Sequence, residues 1–269
     1  MIKKNLLTKR QGIVIMKLIY KNYLFKKGRI FMNILAIGAH PDDIETSCGG
    51  TLAKYAKLGH KVFTATATNG NVGSATLPMD EIAAIRKEEA RRAAAVIGAE
   101  YICLDYDDEM FFEDKTARLK FIDLVRYCKA DIILTHNPED YNPDHELTSK
   151  IINDIAVMIP VAKLETPNKP YDKIPIIAYF EPVNGLGFVP TEYVDITDFI
   201  ETKIEMCRCH QSQISWMQDN YKDTMADKDF FENYEIIARY RGIQCGVQYA
   251  EGFRMANDAF RVVPYRVLP

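Results

Sequence analysis

Several common signatures are missing from this chain of 269 residues, and each gap narrows what it does. The six cysteines, Cys48, Cys103, Cys128, Cys207, Cys209 and Cys245, form no CxxC pair, and several sit inside apolar patterns. They read as free, buried thiols of a reducing compartment, so a cytoplasmic location is expected. No G-x-G-x-x-G follows the first apolar run, which argues against a dinucleotide-binding fold of the usual kind. No G-x-S-x-G occurs, which argues against an α/β-hydrolase serine. Repeats and low-complexity tracts are absent. The net charge is −3 with a pI near 6.0, and no basic stripe lies beyond residue 32, so nucleic acid is not an expected partner. No apolar run is long enough to cross a membrane, and no small-residue cleavage site marks a secretory signal.

What is present divides at Met32. Residues 1–31 carry Lys3, Lys4, Lys9, Arg10, Lys17, Lys21, Lys26, Lys27 and Arg29 among short apolar runs. They read as a disordered leader or as sequence upstream of a native start at Met32, with a membrane-surface segment as the alternative. Residues 32–269 read as one domain. At 48% apolar and 26% charged residues, the composition is that of an ordinary globular protein able to bury a large core.

Strand and helix patterns alternate along it. Strands are expected at Asn33–Gly38, Lys61–Thr68, Tyr101–Leu104, Ile132–Thr135 and Ile176–Phe180, with a further extended piece at Tyr193–Ile196. Helices are expected at Cys48–Leu58, at Asp80–Ile97 with Asp80 as cap, at Thr116–Cys128, at Glu146–Ile159, and from Asp198 past Met217. Alternation of this kind predicts an α/β fold: a Rossmann-like, doubly wound, mainly parallel sheet in one domain, completed by a C-terminal extension. Pro160, Pro167, Pro170 and Pro175 mark a long irregular connection, expected to be a functional loop or lid.

The chemistry concentrates in two clusters, each just after a predicted strand. Ala39-His40-Pro41-Asp42-Asp43-Ile44-Glu45 follows the first, and His136 to His145 follows the fourth. Ligands of open parallel sheets bind at such strand ends. Charges there must be hydrated, paired or metal-bound. His40 and Asp43, three apart in a turn stiffened by Pro41, can aim at one ion, with His145 as third ligand. Two histidines and a carboxylate suit Zn²⁺ with an open position for water, and would also hold Fe²⁺ or another divalent ion. The competing reading has His40 and Asp42 merely capping a helix that starts near Ser47. Asp140-Tyr141-Asn142-Pro143-Asp144 opens like a calcium loop, but His145 stands where glycine is needed and Ile151 where glutamate is needed.

A-H-P-D-D-x-E with a later P-D-H resembles the PIG-L/LmbE-like superfamily, over about Met32 to Arg254. Arg86-Lys87-Glu88-Glu89, Leu104 to Asp108, Lys203, His210-Gln211-Ser212-Gln213 and Glu251-Gly252-Phe253-Arg254 are similar to its other segments. The resemblance implies a zinc-dependent amide hydrolase that removes acetyl from an N-acetylglucosamine unit. It implies His40, Asp43 and His145 as metal ligands, Asp42 as general base and then acid, and Asp144 as a supporting residue. Many members have histidine where this chain has Asn142; asparagine can donate to an oxyanion but carries no proton, and losing such a donor costs about 3 kcal/mol in other hydrolases. His136 and His210 are candidates to compensate. Arg86 and His210 are candidate substrate contacts, Arg86 alternatively pairing with Glu88 or Glu89 on a helix surface. Tyr179, Phe180, Phe188 and Trp216 could stack on a sugar or simply pack.

The expected activity is therefore de-N-acetylation of a small amino sugar or its conjugate, in a chain able to form a homo-oligomer. The alternatives are an amidase acting on another acyl or thiol-conjugate substrate, a catalytically weak metal-retaining carbohydrate-binding protein, and a metallophosphoesterase. A binuclear site for the last would need more bridging carboxylates.

Overall fold

A computed structural model describes residues 31–220, 231–257 and 267–269. The leader therefore lies outside the described residues, while Met32–Pro269 forms one compact unit. Four strands, β1 (Asn33–Gly38), β2 (Lys61–Thr68), β3 (Glu100–Tyr106) and β4 (Ile132–Thr135), are parallel neighbours, and β5 (Ile176–Phe180) continues the parallel set beside β4. Two more, β6 (Glu192–Asp195) and β7 (Ala250–Met255), close the sheet, with β7 antiparallel to both β5 and β6. The order is β3-β2-β1-β4-β5-β7-β6. The chain thus leaves β1 toward one side and β4 toward the other, which puts the topological switch point between those two strands.

β1 and β4 lie in register from Ile34 opposite Ile132 to Ile37 opposite Thr135, and Thr135 Oγ1 donates to the Ile37 carbonyl at 3.1 Å. Their apolar side chains are buried on both faces, as helix-covered parallel strands require. On one face α3 (Lys115–Cys128) and α4 (Pro143–Ile155) pack through Phe121, Val125, Ile151 and Ile155 on Leu35, Phe63 and Ile133. On the other, α1 (Asp43–Lys57) packs through Ile44, Leu52 and Tyr55 on Ile34, Ile132 and Leu134. The helix α2 (Met79–Val96) lies against β3 and α5 (Ile200–Cys207), which also rests on α1. α6 (Gln211–Asn220) and α7 (Glu232–Cys245) complete the described helices.

Several elements depart from the sequence expectation. α1 starts five residues early, at Asp43, and contains a break at Cys48 (φ −140°). The expected start at Cys48 is thus the start of its second half: Gly50 and Thr51 donate their N–H groups to the Glu251 carboxylate at 3.0 and 2.8 Å, so a strand at the far end of the chain supplies the cap. Asp80 does not cap α2; it lies in the first turn, with Pro78 at the N-cap. Asp114 caps α3 instead, accepting from the Ala117 N–H at 2.7 Å. α4 begins at Pro143 and tightens to a 3₁₀ turn at Ala156–Met158. The helix expected from Asp198 past Met217 is two helices, interrupted between Cys207 and Gln211.

The proline-rich connection after Pro160 is pinned rather than loose. Buried Arg126 donates to the carbonyls of Ile159, Val161 and Leu164 and to Thr166 Oγ1, at 2.7–3.0 Å. Among the described residues no helix is long and apolar enough to cross a membrane.

Candidate metal centre and catalytic site

The two clusters meet at the switch point. Residues 39–42 link β1 to α1, and residues 136–142 link β4 to α4. Gly38 permits the meeting: a Cβ there would stand 2.8 Å from the Asp43 Cβ, so any side chain would push α1 off the end of β1.

Three side chains converge, with both oxygens of Asp43 taking part. His40 Nδ1 lies 3.2 Å from His145 Nε2, His145 Nε2 lies 3.3 Å from Asp43 Oδ1, and His40 Nδ1 lies 3.5 Å from Asp43 Oδ2. Ligands at zinc bond lengths in a tetrahedron stand about 3.3 Å apart. The donor set and its spacing therefore fit a divalent ion bound by His40, Asp43 and His145. Two further groups share these residues, His136 with Asp140 and His145, and His40 with Asp108 and Asp144.

Carboxylates orient both imidazoles from behind. Asp140 Oδ1 sits 3.0 Å from His145 Nδ1, and Asp108 Oδ1 sits 2.8 Å from His40 Nε2, with Asp144 Oδ2 at 3.4 Å from the same nitrogen. Such partners fix which ring nitrogen faces a metal. Sequence reasoning assigned no role to Asp108 or Asp140; the available signal was their place inside the two family-like segments. Asp144 also accepts the Glu109 N–H at 2.8 Å, tying the loop after β3 to α4.

His136 is sealed beneath the cluster. Its Nε2 accepts the Ala39 N–H at 2.9 Å and lies 3.1 Å from Asp43 Oδ2, and its ring stacks on His145 at 3.9 Å. Burial, and then the neighbouring His145, press its pKa down to about 4, so it is neutral. Burial opposes ionisation of Asp43, yet His145 and His136 beside it hold its carboxyl well below the usual range. For His145 the cost of burial is outweighed by Asp43 and Asp140, which raise it to about 9.

Asp42 is the partly exposed member, with 25% of its side chain open to solvent. It holds φ at 123°, a conformation that side chains rarely adopt and that costs about 1–3 kcal/mol. No side-chain cap bond forms at the start of α1, so Asp42 does not act as a helix cap. Burial raises its pKa and Arg86 partly offsets the rise, which leaves a carboxylate of increased basicity beside the metal cluster.

Arg86 is not on a helix surface. It is 4% exposed, with Nη2 at 2.8 Å from the Pro41 carbonyl and 3.4 Å from Asp42 Oδ2, and Nη1 at 3.3 Å from the Gly70 carbonyl and 3.6 Å from Asp108 Oδ2. The expected pairing with Glu88 or Glu89 is thereby corrected: Glu88 binds Arg91, and Glu89 accepts from the N–H and hydroxyl of Ser212. Gly70 (φ +70°) leaves the room, since its Cβ would fall 2.5 Å from the guanidinium.

The structure places Asn142 at the N-cap of α4. Its Oδ1 accepts from Asp144 and His145 N–H at 2.7 and 3.4 Å, and its Nδ2 donates to Glu109 at 3.1 Å, so its carboxamide is engaged in holding two loops together. His210 is buried between α5 and α6, with Nε2 3.3 Å from buried Glu45 Oε2. Tyr179, Phe180 and Phe188 are core residues, and Trp216 is partly exposed on α6.

Comparison with known proteins agrees with this geometry. The family profile described as GlcNAc-PI de-N-acetylase, PIG-L, matches residues 35–156, the span that contains every residue of the cluster. Over that span the chain is similar to the PIG-L family. A diacetylchitobiose deacetylase from Thermococcus kodakarensis is 28% identical over 243 residues, covering 84% of each chain. A 4-oxalmesaconate hydratase from Pseudomonas putida is 25% identical over 82% of this chain and 87% of its own. Among solved structures, an N,N'-diacetylchitobiose deacetylase from Pyrococcus horikoshii superposes with a TM-score of 0.71 at 24% identity, covering 94% of this chain and 95% of that one. That likeness shows the shared fold.

Proposed function

We propose that this chain is a PIG-L/LmbE-like, metal-dependent hydrolase that removes the acetyl group from an N-acetylated amino sugar or its conjugate, with zinc as the ion. One observation carries the reading: the side chains of His40, Asp43 and His145 bring potential ligand atoms to 3.2–3.5 Å of one another beside Asp42, a carboxylate with no cap to hold. The deacetylase relatives support the substrate class. A divalent ion bound there supplies Lewis acidity, which polarises an amide carbonyl and acidifies water. Asp42 takes the proton of the attacking water and returns it to the departing amine nitrogen. Arg86 holds Asp42 in its strained position through Oδ2 and the Pro41 carbonyl. Asp140 and Asp108 keep the two imidazoles aimed. Asn142 and Asp144 act by fixing the loops around them, and His210 by buttressing α1 through Glu45.

The test is acetate release from a panel of N-acetylglucosamine conjugates by zinc-loaded wild type and Asp42→Asn. Loss of about 10²–10⁴ in turnover with metal retained is expected from removing a general base. Equal turnover in the two proteins refutes the role. The hydratase relative supplies a second reading, addition of water to an unsaturated carboxylic acid at the same cluster. Its signature is turnover of such an acid without acetate release from any sugar.

A further inference from the structure

The surface that surrounds the metal cluster has a chemical character of its own. All five loops at the carboxyl ends of the parallel strands, residues 39–42, 69–79, 107–114, 136–142 and 181–191, lack lysine and arginine. They carry exposed carboxylates instead, Asp107, Glu109 and Glu139 among them. Arg86 rises beneath these loops from α2, but it is buried against Asp42, Asp108 and two carbonyls. Lys87 is paired with Asp105 at 3.1 Å, Lys115 opens α3 only after the third loop has ended, and Arg254 of β7 lies over the Phe188 ring of the fifth loop, 6.0 Å from its centroid.

The same loops display large apolar side chains. Met110, Phe112, Tyr141, Leu186 and Val189 are each more than two-thirds exposed, and Val72 about half. Three of them adjoin groups that build the site. Val72 follows Asn71, whose side chain donates to Asp107 and accepts the Asp108 N–H. Met110 follows Glu109, which is fixed to Asp144 and Asn142. The Tyr141 ring lies 5.4 Å from the His145 ring. Apolar groups held outward on a wired scaffold mark a surface that something covers. The cluster lies at the same strand ends, so a molecule approaching it from there meets these side chains, and a second copy of the chain seated on them would block that approach.

We propose that the substrate is an uncharged N-acetyl amino sugar carrying an apolar aglycone, and that conjugates joined through a phosphate are disfavoured. This deepens the deacetylase reading and rests on it. The apolar side chains cover the aglycone, and the carboxylates repel an anionic linker with no loop cation to compensate. The same argument weighs against an unsaturated carboxylic acid as substrate.

The test compares three ligands on the zinc-loaded full chain, by calorimetric binding and by acetate release: N-acetylglucosamine, its octyl glycoside, and the same octyl chain joined through a phosphodiester. The octyl glycoside is expected to bind about tenfold tighter than the free sugar, the gain for burying a few methylene groups. The phosphodiester is expected to bind several-fold more weakly than the octyl glycoside, with the gap shrinking at high salt. Met110→Ser with Phe112→Ser should collapse the octyl preference, and Glu139→Lys should narrow the phosphodiester gap. Phosphodiester binding as tight as the octyl glycoside, or no gain from the octyl chain, overturns the proposal. So does a serine double variant that splits an oligomer yet keeps the octyl preference, because a second copy is then the occupant. Acetate release without this ranking defeats the inference and leaves the deacetylase reading standing. The ranking in binding without acetate from any ligand defeats the deacetylase reading and the substrate claim with it, and leaves only a ligand preference of the surface.

Discussion

The half of the sheet from β3 to β4 and the half from β5 to β6 handle buried charge in opposite ways. In the first, charges crowd one end of parallel strands and point at each other: His40, Asp43, His136, Asp140 and His145 all touch within one cluster. In the second, buried charges pair off between elements. Lys203 of α5 meets Glu251 of β7 at 2.6 Å, and Arg241 of α7 grips Glu181 after β5 with its Nε at 3.0 and 2.9 Å from the two carboxylate oxygens. The first arrangement is costly unless an ion joins it; the second is neutralised within the protein. The proposed chemistry therefore lies at the β1/β4 switch point, while the antiparallel half holds α1 in place through Glu251 and α7 through Glu181.

The largest effect that sharpens this contrast is loss of the ion. His145→Ala or Asp43→Ala should abolish stoichiometric metal binding, measured as metal content after dialysis, while leaving the fold by circular dichroism. In the other half, Lys203→Met strands Glu251 as a buried charge and should cost about 3–5 kcal/mol in urea unfolding, with metal affinity largely kept. A variant there that lost its metal before its stability would break the division. Asp140→Asn, which removes the group orienting His145, should weaken metal binding about 10–100-fold. The smallest effect is one of pH. His145 in the metal-free protein has its pKa raised to about 9 and must lose its proton to ligate. His40, whose pKa its carboxylate neighbours also hold well above the usual range despite burial, must lose a proton as well, so metal affinity should fall by at least tenfold per unit as pH drops below about 9, with proton release visible in calorimetry across buffers. The sign reverses for the metal-free fold: a raised histidine pKa stabilises it fully below about 6.5, and that contribution is lost as pH climbs through about 9.

The same contrast governs how much of the molecule could be read from sequence. β1, β2, β4 and β5 match their apolar runs residue for residue, because strands covered on both faces carry continuous apolar side chains. The cluster was legible for the same reason, since polar residues directly after such runs stand out. β7 was not expected as a strand: it holds a buried glutamate and Gly252, whose missing Cβ leaves room for Pro190. α7 presents Ile236, Tyr240 and Ile243 to the outside and buries Ala238, Arg241 and Gly242, the inverse of an amphipathic pattern. The buried face of α2 likewise carries Arg86 and Glu89, which a search for apolar spacing passes over. Asp108 and Asp140 were visible as letters, but their roles depend on which nitrogen of which histidine they face, and only the fold decides that.

The most direct test is a crystal structure of the zinc-loaded protein with data collected across the zinc absorption edge. One ion bound by His40 Nδ1, Asp43 and His145 Nε2, with His136 outside its coordination shell, is the predicted result. An ion held by His136, Asp140 and His145, or by His40, Asp108 and Asp144, would contradict it.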